Sequence, residues 1–221
     1  MTGLDVGWIA ASAVALANGV VTTVWLIAVT ILFGGVLSVA GAAARRSGLP
    51  WCRATASGYV ELIRNTPFIV QLFFVFFGLP SLGVHLTATV AAILAMTINV
   101  SAYGTEIVRA GLDAVAPGQR EAGRALGLHN LTIFVCIVLP QALRTVFPAL
   151  VSQMVITMLD SAVVSQIAVR DLTYEADLIQ AHTFLSFQTY ALVTAIYLGL
   201  SILLRRVLGL AGRAVLGPGI S

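Results

Sequence analysis

Residues 121–140 read EAGRALGLHNLTIFVCIVLP, a charged, glycine-punctuated run that passes without interruption into an apolar one ending in Leu139-Pro140. Its polar half stands out, because 59% of the 221 residues are hydrophobic and only 10% are charged. An ordinary soluble domain carries about 25% charged residues. The chain is therefore read as an integral membrane protein, and the polar run as the place where it leaves the bilayer.

A helix crossing the roughly 30 Å hydrocarbon layer needs about 20 apolar residues, each rising about 1.5 Å. Outward from 121–140, five stretches qualify: about 19–44, 66–84, 86–105, 146–169 and 187–204. The expected fold is an all-α membrane protein of five transmembrane helices, forming a single domain over 1–221. The region 131–169 is too long, at 39 residues, for one span. Starting the span at Leu131 would bury Arg144 at a cost of about 2.5–3.5 kcal/mol. Starting it near Val146 leaves Arg144 at the edge and puts Pro148 in the first turn, where its missing N–H is harmless. The second placement makes Ile137–Pro140 a bend and leaves Asp160 inside the membrane. In the short span 66–84, Thr66 is expected to cap the helix and Pro67 to occupy its first position.

Charge sets the orientation. All twelve basic residues are arginine, and cytoplasmic loops carry the basic excess. With the N-terminus outside and the C-terminus inside, eleven of the twelve fall on the cytoplasmic side and Arg170 alone lies outside. The net charge of +3 then marks topology and calls for no nucleic acid. Asp5 stands where a signal peptide would be basic, so the N-terminal run is expected to be retained. Cys52 and Cys136 fall on the reducing side, which argues against a disulfide.

Several chemistries are excluded. Without lysine there is no phosphate-binding loop of the GxxxxGK[ST] kind, so ATP hydrolysis would have to occur on another polypeptide. His85, His129 and His182 have no partners at zinc-ligand spacing, and no GxSxG nucleophile turn is present. No enzyme activity, metal or cofactor is expected.

Between Arg109 and Leu131, Pro117 can open a helix that Gly127 can close in the left-handed conformation. A helix over about 117–127 is too short to be stable alone in water. It either lies on the membrane surface or docks on a partner. Ala122, Ala125 and Leu126 would form its small-residue face, flanked by Glu121 and Arg124.

The spacing Glu121-Ala122-Gly123, three residues, Gly127, nine residues, Ile137, one residue, Leu139-Pro140 resembles the EAA-x3-G-x9-I-x-LP motif of bacterial ABC importer permeases. Gly123 departs from the usual Ala and should weaken the helix by about 1 kcal/mol. Arg64-Asn65-Thr66-Pro67, Gln71-Leu72-Phe73-Phe74 and Phe77-Gly78-Leu79-Pro80 are similar to a run in the polar amino acid permeases, as are the segments flanking the EAA motif. The resemblance implies a permease subunit of the bacterial inner membrane that pairs with itself or a close relative. It further implies ABC ATPase subunits beneath, an extracytoplasmic amino acid binding protein above, and a cytoplasmic coupling helix made by the EAA segment. The residues carried over for ATPase coupling are Glu121, Ala122, Gly123, Gly127, Ile137, Leu139 and Pro140.

For the substrate pathway, Asp160 is the leading residue, because an acid inside the bilayer must face a cavity or a partner. With Ser161 it matches the Asp-Thr of a KDTSL segment, Leu159 replacing the Lys. Gln71, Asn99, Tyr103 and Gln153 either line the same cavity or join neighbouring helices. Arg170, Asp171, Glu175 and Asp177 lie where a binding protein would dock, or in a plain solvated loop. A small channel or secondary-transporter subunit is the alternative reading. It leaves the cytoplasmic docking helix without a purpose.

Overall fold

The longest uncharged stretch forms the longest element: α1 runs from Gly7 to Arg45 in this computed structural model, which describes residues 7–217. The expectation for the terminus around Asp5 lies outside those residues. The chain continues as α2 (Pro50–Arg64), then α3 (Phe68–Phe73), which passes into a π-helical turn (Phe74–Gly78) and a 3-10 turn (Leu79–Leu82). After α4 (Ala88–Ala114) come α5 (Pro117–Ala125) and α6 (Asn130–Ile133). A second π turn (Phe134–Val138) leads into α7 (Leu139–Asp160), a 3-10 segment (Ser161–Ile167), α8 (Leu172–Thr183) and α9 (Ser186–Leu216). Among the described residues, four helical runs are long and apolar enough to cross a membrane, or five when α2 and α3, bent by 109°, count as one.

α4 is the centre of the bundle, and small residues bring its neighbours close. Thr105 lies against Gly41 and Ser38 against Gly104, each so tightly that a Cβ on the glycine would clash. A Cβ at Gly34 would come within 2.8 Å of Val100. Lipid tails are as apolar as leucine, so such close van der Waals packing, rather than hydrophobic burial, joins helices in a membrane. Gly111 does the same for α7, receiving Val146. The fully buried apolar cluster gathers Leu26, Leu72, Ala91, Ala92 and Val164 around α4.

Three local expectations are corrected. Thr66 does not cap α3: the N-cap position falls at Pro67, one residue later than expected and with no side-chain bond, and the Thr66 hydroxyl donates back to the Leu62 carbonyl at 3.0 Å. Ile137–Pro140 is not a bend, since Asn130–Ile167 is one helical run of 38 residues. Consequently Pro148 sits inside α7 instead of in a first turn. The physical reason is the π turn. A proline in a helix lacks an N–H and its ring meets the carbonyl four residues back, and widening the preceding turn by one residue relieves both. The same device precedes Pro80, where Phe74–Gly78 is π-helical.

Candidate functional site

The break between α2 and α3 opens onto a polar cavity of about 590 Å3. Arg64, Asn65 and Thr66 line it from the break, Asn99 and Tyr103 from α4, and Gln153 and Asp160 from α7. Non-helical backbone at membrane depth persists only where its polar groups find partners, and here Gln71 supplies them. Its Nε2 donates to the carbonyls of Ile63 at 2.7 Å and Thr66 at 3.0 Å, and its Oε1 accepts from Asn99 Nδ2 at 3.0 Å.

Of the six expected pathway residues, Asn99, Tyr103, Gln153 and Asp160 therefore share one cavity. Gln71 stands one hydrogen bond behind Asn99. Ser161 is fully buried and donates to the Met158 carbonyl at 2.6 Å, away from the cavity. Arg64 was read from sequence as a topology marker and as part of the Arg64–Pro67 motif, not as a pathway residue, yet it lines the cavity opposite in charge to Asp160. The run Arg64-Asn65-Thr66-Pro67, with a proline after three polar residues, was the available signal.

The Arg64 guanidinium lies over the Tyr103 ring, 5.4 Å from its centre, a favourable contact between a cation and the electron-rich ring face. These two residues also line a second cavity of about 360 Å3 with Arg45, Glu61 and Glu106. The stacked pair thus stands between the two spaces. Beyond it, Glu106 pairs with Arg45 and Arg109, and Asp113 with Arg46 and Arg109.

At the same arginine-rich end, α5 opens at Pro117 and closes with Gly127 at φ +73°. Leu128 N–H donates to the Gly123 carbonyl at 3.1 Å and Gly127 N–H to Arg124 at 2.9 Å, the paired bonds of a Schellman ending. Gly123 is buried, and a Cβ there would meet Ile133 Cγ1 at 2.8 Å and Ile137 Cδ1 at 3.3 Å. The departure from Ala therefore lets α5 press onto the start of the α6–α7 run. Ile133 and Ile137 are the residues it presses on, and Leu139 and Pro140 begin α7. Glu121, Ala122, Arg124, Ala125 and Leu126 are exposed, Leu126 at 77%.

At the other end, the expected docking loop is α8, and two of its acids face inward. Asp171 is fully buried and caps α8, accepting from Tyr174 N–H at 2.9 Å and from the Tyr197 hydroxyl at 3.3 Å. Burial pushes its carboxyl up to about 6, against the opposing pull of those hydrogen bonds. Glu175 is buried beneath an ion pair with exposed Arg170 at 2.8 Å.

Residues 34–216 match the family of binding-protein-dependent transport system inner membrane components. The chain belongs to that family. Its permease relatives include a probable glutamine ABC transporter permease of Bacillus subtilis, GlnM, 37% identical over 80% of this chain and 83% of the relative. The L-cystine transport system permease TcyB of the same organism is 38% identical over 75% and 71%. A crystal structure of an amino acid ABC transporter with histidines superposes with a TM-score of 0.88, at 33% identity over 97% of this permease and all of that chain. The MetNI methionine ABC transporter, inward facing, shares the fold at TM-score 0.67 and 22% identity over 97% and 98%. The chain is thus an ABC permease of the polar amino acid importer subfamily, a multi-pass inner-membrane subunit that works with an ATPase partner and a periplasmic binding protein.

Proposed function

We propose that this permease carries amino acids through the cavity at the α2–α3 break, with the Arg64–Tyr103 stack as its inner gate. The observation carrying this reading is that one space holds a cation, Arg64, an acid, Asp160, and the amides of Asn99 and Gln153. A zwitterion presents a carboxylate and an ammonium, and a site with opposite charges on separate helices can hold both while sparing most of their hydration loss. The orientation follows the arginines: N-terminus outside, C-terminus inside, stack and α5 toward the cytoplasm.

In this reading α5 is the coupling helix. Its exposed Ala122–Ala125–Leu126 face meets the ATPase, while its buried Gly123 transmits the push to Ile133 and Ile137 at the base of α7. Because α7 carries Gln153 and Asp160, movement of α5 reaches the cavity through one helical run. A second permease subunit, identical or related, completes the pathway.

Reconstituted complexes test both halves by measuring ATP hydrolysis and amino acid uptake together. Asp160→Asn is expected to lower uptake about tenfold or more with normal complex yield. Ala122→Trp is expected to abolish uptake while ATP hydrolysis continues. Normal uptake by Asp160→Asn would remove the cavity assignment, and normal uptake by Ala122→Trp would remove the coupling assignment.

A further inference from the structure

A second groove lies between α7 and α9, turned away from the polar cavity. At about 100° per residue, Gln153 and Asp160 share one face of α7, and Phe147 and Val151 lie on the opposite one. The groove encloses about 510 Å3. Its walls are apolar, made by Phe147, Pro148 and Val151 from α7 and by Leu210 from α9, and the Arg205, Arg206 and Arg213 side chains complete it. The Phe147 ring rests on Gly212, where no side chain could fit, so the two helices are held together at this level.

The charge here is uncompensated. No acidic residue lines the groove, and every ion pair among the described residues engages other arginines. Arg206, Leu210 and Arg213 follow at helical spacing on one face of α9, which sets the Cα atoms of the two arginines about 10 Å apart along the axis, within reach of one phosphate between their long side chains. Guanidinium forks match phosphate oxygens in shape and charge. The apolar wall has a different demand: it is solvated poorly by water and well by hydrocarbon. A ligand answering both has a phosphate at one end and an alkyl chain at the other. Basic pockets between transmembrane helices on the arginine-rich side suit anionic headgroups, and this groove is at the same end of the bundle as Arg45, Arg46, Arg120 and Arg124.

We infer that the groove between α7 and α9 is a binding site for one phospholipid with an anionic headgroup. Its phosphate sits between Arg206 and Arg213, and an acyl chain runs along Phe147, Val151 and Leu210. The site rests on the chain lying in a bilayer and is independent of what passes through the polar cavity. Because α7 separates the two, a bound lipid would brace the helix that links α5 to Asp160.

The test uses the intact permease–ATPase complex exchanged into detergent with equal amounts of phosphatidylglycerol and phosphatidylcholine, followed by native mass spectrometry. Wild type is expected to retain phosphatidylglycerol about tenfold over phosphatidylcholine. The double variant Arg206→Gln/Arg213→Gln should lose that preference, and Arg53→Gln, on the exposed side of α2, should keep it. Equal retention of the two lipids by wild type would overturn the site. Displacement of the lipid by millimolar inorganic phosphate would also overturn it, leaving a plain anion site. So would efficient cross-linking between two copies carrying Leu210→Cys, since a second permease would then fill the groove. If the double variant does not assemble, wild-type preference and phosphate competition decide alone.

Discussion

Pro67 and Pro140 each stand at one edge of an apolar stretch in sequence, and they do opposite things. At Pro67 the helix stops and the chain turns by 109°. At Pro140 it runs straight on, because the π turn over Phe134–Val138 makes room for the ring. The difference lies in what takes up the backbone groups that proline frees. Before Pro67, the side chain of Gln71 reaches back to Ile63 and Thr66, so the ends stay apart and polar atoms collect around a cavity. Before Pro140, the widened turn keeps its bonds within the helix, and the result is a stiff rod joining α5 to Asp160. One proline breaks the helix and the other is carried inside it.

The strongest way to break that comparison is Gln71→Leu. It leaves the Thr66 carbonyl and the Asn99 amide without their Gln71 partner, at about 1–3 kcal/mol for each buried group left unpaired. The yield of assembled complex and its melting temperature should both drop sharply. Wild-type values would show that the backbone alone holds the break.

The break between the 3-10 segment and α8 is held by an ionisable group, so its stability should respond to pH. The Asp171 carboxyl titrates near 6 in the folded chain instead of near 3.8. The folded state thus binds the proton more tightly than the unfolded one. Its contribution is most favourable below about pH 4 and is lost as pH rises through about 6, a change of roughly 3 kcal/mol. Asp171→Asn keeps the cap and should flatten this slope. Melting temperatures of both proteins from pH 4 to 7 provide the check, and parallel curves would count against a buried, strained carboxyl.

The smallest effect is expected for Pro140→Ala. With the π turn already accommodating the ring, removing it should leave the melting temperature within about 2 °C and assembly intact. Loss of assembly would mean that the proline, and not the turn before it, sets the course of the rod.

Composition and periodicity were enough to read the membrane class, because burying so few charges in so many apolar residues admits no soluble core. The α5 ends were equally legible, since Pro117 and Gly127 act through their own backbone preferences. The α2 helix was missed because its sequence mixes polar and apolar residues, only Val60 being buried, and so leaves no long apolar run. The inward turn of Asp171 and Glu175 was missed because an acid in a loop normally faces water, and only contact with Tyr197 and Arg170 makes burial tolerable.

By itself, then, the sequence determined the class, the family pattern of the EAA segment and the arginine bias, all of which follow from local chemistry repeated along the chain. The tertiary structure decided what Gly123 is for, which proline breaks the chain, and that Arg64, Asn99, Tyr103, Gln153 and Asp160 share one space. Those outcomes depend on distances between helices far apart in sequence, and they are set by where glycines on α1 and α4 let neighbours approach.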